Sequence, residues 1–410
     1  MMLWDALAAG AAALLALPSW NTLESKLPSV PAPVFVGSLP PDIEVGDRPV
    51  FHRDAAALCP SCQQIWLALE MKDADYLTVL VEDVAGAFPV LTWPDGLVQS
   101  GPALVRDMLE TVEVRYADRP PEFYRRVSAS VDNVRCNIVR FAGIFPRDTL
   151  PSVLAPYLLK SDGAPVPDAD HHVTLEEIDE VLEEYDDGPF LCGDEPTAAD
   201  VFWAPHMERY AAQLPRTRKH ASFDPRSREY YPEVMEWYAA METIPCYSCR
   251  VAGDRLSWER VLEEAAEDRP HLAPVPARPR PVVRKGLDAA GAWKKYVRGR
   301  PWMAPTPVGE CAAFLIRGRG FLSERVAEAG AMAREEADEA LREVVDALLL
   351  DDGAAAGAAR KMSEGARDVV RRIDREVRAP RDMGFLAVAP LRRLAAAVRE
   401  DVEKGEAAEV

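Results

Sequence analysis

A chain of 410 residues exceeds a single typical domain, and 67 acidic against 48 basic side chains give it a formal charge of -19. With 48% apolar and 28% charged residues, the composition is that of a globular protein, which excludes a disordered or fibrous chain. The negative balance argues against nucleic-acid binding, which needs a positive surface to release counterions.

Seven cysteines are too few for a disulfide scaffold. Four fall in two Cys-x-x-Cys pairs, which suits an intracellular reducing compartment, cytoplasm or plastid. In chain order, residues 1–48 read as a leader and connector. Ala6 to Leu17 is apolar, but no Lys or Arg precedes it, so it is a weak targeting leader. Twelve helical residues rise roughly 18 Å against a hydrocarbon core of roughly 30 Å, so no membrane span is expected. Pro28 to Pro49 is a proline-rich connector.

The regular pattern starts near Val50. An apolar start (Val50, Phe51) leads to a turn holding Cys59, Pro60 and Cys62, then to helix spacing at Ile65, Trp66 and Leu69. Tyr76 to Val81 and Val90 to Trp93 predict strands. Pro94-Asp95-Gly96 predicts a turn before Leu97 and Val98, and a helix runs from Gly101 to about Val112. Residues 49–115 are therefore an α+β unit with crossovers too short for a large doubly wound sheet.

Residues 116–252 lose strand signals and carry apolar positions at helix period, such as Val134, Ile138 and Phe141, which predicts an all-α domain. Thr197-Ala-Ala-Asp200 has the form of a helix-capping motif. The adjacent His171 and His172 fall in an Asp-rich loop and are expected to face solvent rather than a metal. Residues 253–307 read as a basic, proline-rich linker whose Arg278, Arg280, Arg284, Lys285, Lys294, Lys295, Arg298 and Arg300 pair with the protein's own acidic faces. Residues 308–410 read as a helical extension broken at Asp351-Asp352-Gly353.

Cys59-Pro-Ser-Cys62 follows a predicted strand and opens a predicted helix. A thiol there meets unpaired backbone N–H groups and the positive end of the helix dipole, both of which favour the thiolate. An unperturbed cysteine of pKa about 8.5 is only about 3% thiolate at pH 7, so the placement supplies a nucleophile. Cys62, one turn deeper, is the natural resolving thiol. Zinc would need four convergent ligands; Cys246 and Cys249 lie far along the chain and read as packing or surface thiols, so no metal is expected.

These residues resemble the glutathione transferase superfamily, most closely its omega-like and dehydroascorbate-reductase-like members and their cyanobacterial and algal relatives. Arg53 to Glu70, with Cys59-Pro-Ser-Cys62, is similar to that group's active-site strand, turn and helix. Phe88-Pro89-Val90-Leu91 resembles its cis-proline turn, and Gln99-Ser100 resembles the pair that holds the γ-glutamyl carboxylate. Phe190 to Val201 is similar to the folding motif of the helical domain, and Tyr231 to Pro245 to the helix closing it. Leu58, Ser61 and the short segment from Glu82 to Phe88 depart from the pattern, and Pro380-Arg-Asp-Met-Gly384 resembles part of an appendage of algal members.

The resemblance implies a thioredoxin-like domain over 49–115 and an all-α domain over 116–252. It implies glutathione as co-substrate at Pro89, Val90, Gln99 and Ser100, and a small electrophilic or disulfide substrate attacked by Cys59. It also admits a homodimer. The expected activity is a cysteine-type glutathione-dependent thiol transferase or dehydroascorbate-type reductase; the alternative is a non-catalytic scaffold or partner-binding protein working through residues 253–410.

Overall fold

The computed structural model describes residues 17–82, 88–124, 130–146, 158–160, 162–185, 188–268, 274–275, 281–330, 332–350 and 355–408. Most of the leader, the core of the Glu82–Phe88 segment, Arg278, Arg280 and Asp351 to Gly353 lie outside them.

The α+β unit is built on a five-stranded sheet. β1 (Val34–Val36), β2 (Val50–Asp54), β3 (Leu77–Val81), β4 (Val90–Thr92) and β5 (Val98–Ser100) take the order β1-β3-β2-β4-β5. The central β2 pairs parallel to β3, with Val50 opposite Leu77, and antiparallel to β4, with Phe51 opposite Leu91. β1 lies within the stretch read as a connector. Val34, Phe35 and Val36 pair with Thr78, Val79 and Leu80, so this apolar triplet finds a sheet edge that its proline-rich surroundings hide.

Between β2 and β3 runs α2 (Pro60–Met71), preceded in the chain by the short α1 (Trp20–Glu24). Cys59 is its N-cap and Pro60 its first residue, where a missing N–H costs nothing. It ends at Lys72, after which Asp73 takes a left-handed backbone (φ 46°). Nearly every side chain of α2 is buried, because the sheet covers one side and helices the other. Lys72 is itself fully buried; its ammonium donates to the Arg119 and Pro121 carbonyls at 2.9 and 2.7 Å and pairs with Glu113 at 2.7 Å. A 3-10 turn (Pro102–Leu104) and α3 (Val105–Arg115) complete the unit.

The all-α domain holds α4 (Val131–Ile144), α5 (Asp168–Glu183), α6 (Ala198–Thr217), α7 (Pro232–Thr243) and a π-helical turn (Tyr247–Val251). The capping motif forms: Asp200 Oδ2 accepts from the Thr197 backbone N–H at 2.8 Å and hydroxyl at 3.0 Å. Its other oxygen takes the Trp237 indole N–H at 2.9 Å, tying α6 to α7 through a fully buried carboxylate. Trp66, Trp203 and Trp237 pack in the core. His171 and His172 differ from expectation. They sit in α5, not in a loop, and His171 is buried with Nδ1 2.8 Å from the Tyr210 hydroxyl. The helix that extends Leu175, Ile178 and Leu182 inward carries His171, one turn earlier, to the same face.

The remaining helices are α8 (Arg255–Asp268), α9 (Ala289–Tyr296), α10 (Pro307–Arg317), α11 (Arg319–Glu328), α12 (Arg334–Leu350), α13 (Ala355–Lys361), α14 (Glu364–Glu376) and α15 (Phe385–Ala408). The stretch read as a linker thus contains two helices. Trp258 and Val261 on α8, and Trp293 and Tyr296 on α9, are buried, and that burial offsets the cost of ordering a basic, proline-rich sequence. Its cations do pair internally: Arg284 with Glu242, and Arg300 with Glu70 and Asp73. At the centre of the extension Arg392, 1% exposed, donates to Asp254 and Asp374 at 2.9 Å each and to the Val377 carbonyl at 2.8 Å. Among the described residues no helix is long and apolar enough to cross a membrane.

Candidate functional site

β2 delivers Asp54 to the end of the sheet, and the chain turns through residues 55–58 into α2. Asp54 shapes that turn: its Oδ2 accepts the backbone N–H groups of Leu58 at 2.5 Å and Cys59 at 3.2 Å. Ala57 sits in the left-handed region (φ 54°), a local strain that this carboxylate helps to hold. Cys59 is thereby fixed as N-cap of α2, with its Sγ accepting the Cys62 N–H at 3.3 Å.

The two thiols have opposite environments. Cys59 is half-buried and Cys62 only 1% exposed. The Cys59 thiol is held below its ordinary value, first by a hydrogen bond from the Cys62 side chain, then by the Cys62 backbone N–H and the charge of Arg209, with burial opposing. Burial drives the Cys62 thiol strongly upward, and its donation to Cys59 adds to this. One sulfur is disposed to be a thiolate and the other to hold a proton for it.

Three groups that the sequence pattern does not signal complete the surroundings. Arg209 of α6 is fully buried; it donates to Gln63 Oε1 at 2.7 Å and to the Leu58 carbonyl at 3.1 Å, and its guanidinium lies 3.9 Å from the centre of the Trp258 ring. Trp258 and Val261 of α8 in turn pack on Leu58, the residue just before the nucleophile. Asp54 is the third. Its Oδ1 is buried without a hydrogen-bond partner, and a ligand atom of each of Asp54, Cys59 and Cys62 lies within 4.8 Å of the others. Among the described residues three donors converge there, and Cys246 and Cys249 do not join them, whereas a closed tetrahedral zinc site takes four.

The strand register assembles part of the expected glutathione site. The Phe88–Pro89 peptide is cis. Val90 is opposite both His52 and Ser100, so Pro89, Val90 and Ser100 lie at the end of the sheet where β2 runs into the thiol turn. The Pro89 carbonyl accepts the Gly101 N–H at 2.9 Å. Gln99 goes the other way. On β5 it alternates with Ser100, so its amide is buried, accepting from the Trp93 indole at 3.0 Å and donating to the Thr111 hydroxyl at 3.1 Å. Its side chain fastens α3 to the sheet.

Fold and site together define a thioredoxin-like domain with a thiol at a helix N-terminus, joined to an all-α domain. The family model for the glutathione S-transferase C-terminal domain matches residues 169–240, which span α5 to α7. Among solved structures, a glutathione S-transferase from Rhodospirillum rubrum F11 is 24% identical; the match covers 49% of this chain and 90% of that one, with a TM-score of 0.36. A glutathione transferase homologue from Drosophila mojavensis with bound glutathione is 16% identical over 49% of this chain and 90% of its own, TM-score 0.38. Glutathione transferase Omega 3C from Trametes versicolor is 14% identical over 56% and 88%, TM-score 0.35. No curated protein matches the chain. The family match, with the architecture, supports a glutathione S-transferase-like protein.

Proposed function

We propose that the protein is a cysteine-type glutathione-dependent thiol transferase or dehydroascorbate-type reductase. The observation that carries the reading is the polarity of the Cys59–Cys62 pair: a half-exposed sulfur lowered in pKa at the helix N-terminus, and a buried one raised.

With a mixed disulfide as substrate, the Cys59 thiolate attacks the glutathionyl sulfur. A Cys59–glutathione disulfide forms, the substrate S–S bond breaks, and the substrate leaves as thiolate. A second glutathione thiolate then attacks that adduct, releasing glutathione disulfide and regenerating Cys59. Cys62 resolves the adduct only on an alternative branch, by forming the Cys59–Cys62 disulfide and expelling glutathione. Glutathione would lie along Pro89, Val90 and Ser100, with backbone N–H groups and the Ser100 hydroxyl answering its carboxylate. Gln99 would support that edge through Trp93 and Thr111.

The test is glutathione-dependent reduction of hydroxyethyl disulfide by the full chain. Cys59→Ser should lower the rate by at least about 100-fold, while Cys62→Ser keeps most of it. Turnover by Cys59→Ser equal to the unaltered protein would refute the reading. An unaltered protein without turnover would favour the non-catalytic, partner-binding alternative.

A further inference from the structure

The thiol turn gathers a second kind of chemistry. A carboxylate oxygen of Asp54 and the sulfurs of Cys59 and Cys62 all lie within 4.8 Å of one another. Zinc bonds of about 2.3 Å to sulfur and about 2.1 Å to oxygen would set the donors of one tetrahedral ion about 3.6–3.8 Å apart, so these atoms need to close by only about 1 Å. Two thiolates and a carboxylate suit zinc or its softer congener cadmium; the hard oxygen suits a divalent ion better than copper(I).

The observation that points to a ligand is the carboxylate. Asp54 is 3% exposed, and its Oδ2 accepts the Leu58 and Cys59 N–H groups, whereas Oδ1 is buried with no hydrogen-bond partner. A charged oxygen left bare in the interior is costly, and a coordinated cation removes that cost. The turn also prepares the sulfurs. The Cys62 N–H donates to Cys59 Sγ at 3.3 Å, the way a backbone donor supports a ligating sulfur. The first N–H groups of α2 are thus spent on ligand atoms, and the positive end of the helix favours the anionic donors. Charge is consistent with this. Two thiolates and a carboxylate around a dication keep one negative charge, and Arg53 and Arg209, both fully buried, feel the Asp54 charge. Arg209 is itself offset by Glu208 at 3.5 Å, and Arg53 donates to the Asp54 carbonyl at 3.0 Å.

We propose that Asp54, Cys59 and Cys62 form an open three-ligand site for a thiophilic divalent cation of the zinc type, with water in the fourth position. On binding, each thiol that still carries a proton releases it and the ion takes its place; no electron moves. The site shares its sulfurs with the thiol chemistry proposed above but does not rest on it. An occupied site has no free nucleophile, so ion binding and thiol attack exclude each other.

Titration of the reduced, chelator-stripped full chain with cadmium ion tests this through the ultraviolet thiolate-to-cadmium charge-transfer band. One ion per chain should bind at about 1 µM or tighter, and zinc ion should displace it and remove the band. Cys59→Ser and Cys62→Ser should each lower the band by about half and weaken binding at least about tenfold. Asp54→Asn keeps an oxygen for the turn but not the charge; it should weaken binding at least about tenfold and leave the saturated band intact, with circular dichroism unchanged. Cys136→Ser, and Cys246→Ser with Cys249→Ser, should alter neither band nor affinity. Absence of a band at about 100 µM cadmium, full band and affinity in Cys62→Ser, unweakened binding by Asp54→Asn, or loss of the band with Cys136 or the Cys246–Cys249 pair would each overturn the proposal. Turnover with glutathione is measured on the metal-free chain, so the two readings fail independently.

Discussion

The chain carries the same four-residue spacing twice, at Cys59–Cys62 and at Cys246–Cys249, and the fold gives the two pairs unrelated chemistry. The first opens α2, so one sulfur takes the Cys62 backbone N–H and sits near Arg209. The second falls at the π-turn; both sulfurs are buried, and burial pushes Cys246 up and Cys249 up to about 12. Spacing alone therefore says little about a cysteine pair. A helix N-terminus and a nearby cation make a nucleophile, and apolar burial silences one. What the second pair does is structural: Gly384, just before α15, packs so closely on it that a Cβ there would come 2.1 Å from the Cys249 carbonyl oxygen.

The contrast can be broken first by reactivity, where the expected effect is largest. Site-resolved alkylation with iodoacetamide at pH 7, followed by mass spectrometry, should modify Cys59 on the order of 1,000-fold faster than Cys246 or Cys249. Comparable rates in the native protein would erase the distinction. Next, Gly384→Ala should lower stability by about 3 kcal/mol, because the added methyl meets backbone rather than a flexible side chain. Denaturant unfolding measures this, and a loss below about 0.5 kcal/mol would mean that the second pair is not a docking surface.

A third prediction concerns Glu208, which bridges the two pairs by accepting from Gln63, next to Cys62, at 2.5 Å and from Tyr247, next to Cys246, at 3.1 Å. Burial raises its carboxyl from 4.5 to about 7. Between those values the folded state binds more protons than the unfolded chain. Its contribution is therefore fully present below pH 4.5 and is lost as pH rises to about 7, by at most about 3 kcal/mol. Glu208→Gln should flatten that part of the stability profile, and an unchanged slope would assign it to other groups. The smallest effect is expected at Arg209. Arg209→Met removes a favourable charge from Cys59, so the alkylation midpoint of Cys59 should move to higher pH; a midpoint that stays or falls would remove Arg209 from the account.

The strand, thiol turn and helix around Cys59 were legible in the sequence because they are local: a period-two run, a capping position and a period-3.6 run follow one another within about twenty residues. Arg209 and Trp258 were not, since they approach Leu58 from about 150 and 200 positions away and bear no local mark. β1 escaped because three residues between prolines carry no periodicity, and α8 and α9 because charge and proline masked their buried tryptophans. Gln99 shows a different limit. Its place at the sheet edge follows from the pattern, but alternation along β5 turns its amide toward Trp93 and Thr111, away from Ser100's face.

Glu70 lies on α2, two turns beyond Cys62. It accepts from Tyr76 at 2.7 Å, from Tyr296 at 3.1 Å and from Arg300 at 3.4 Å, so its last partners are made some 230 residues after it. During synthesis the thiol-bearing helix emerges early yet cannot complete its contacts until α9 has left the ribosome. α1 waits longer still, because Trp20 donates to Asp338 at 2.8 Å. For much of its synthesis the nascent chain carries Cys59 on a helix whose far end is held by Tyr76, Arg119 and Glu113 but not yet by Tyr296 and Arg300.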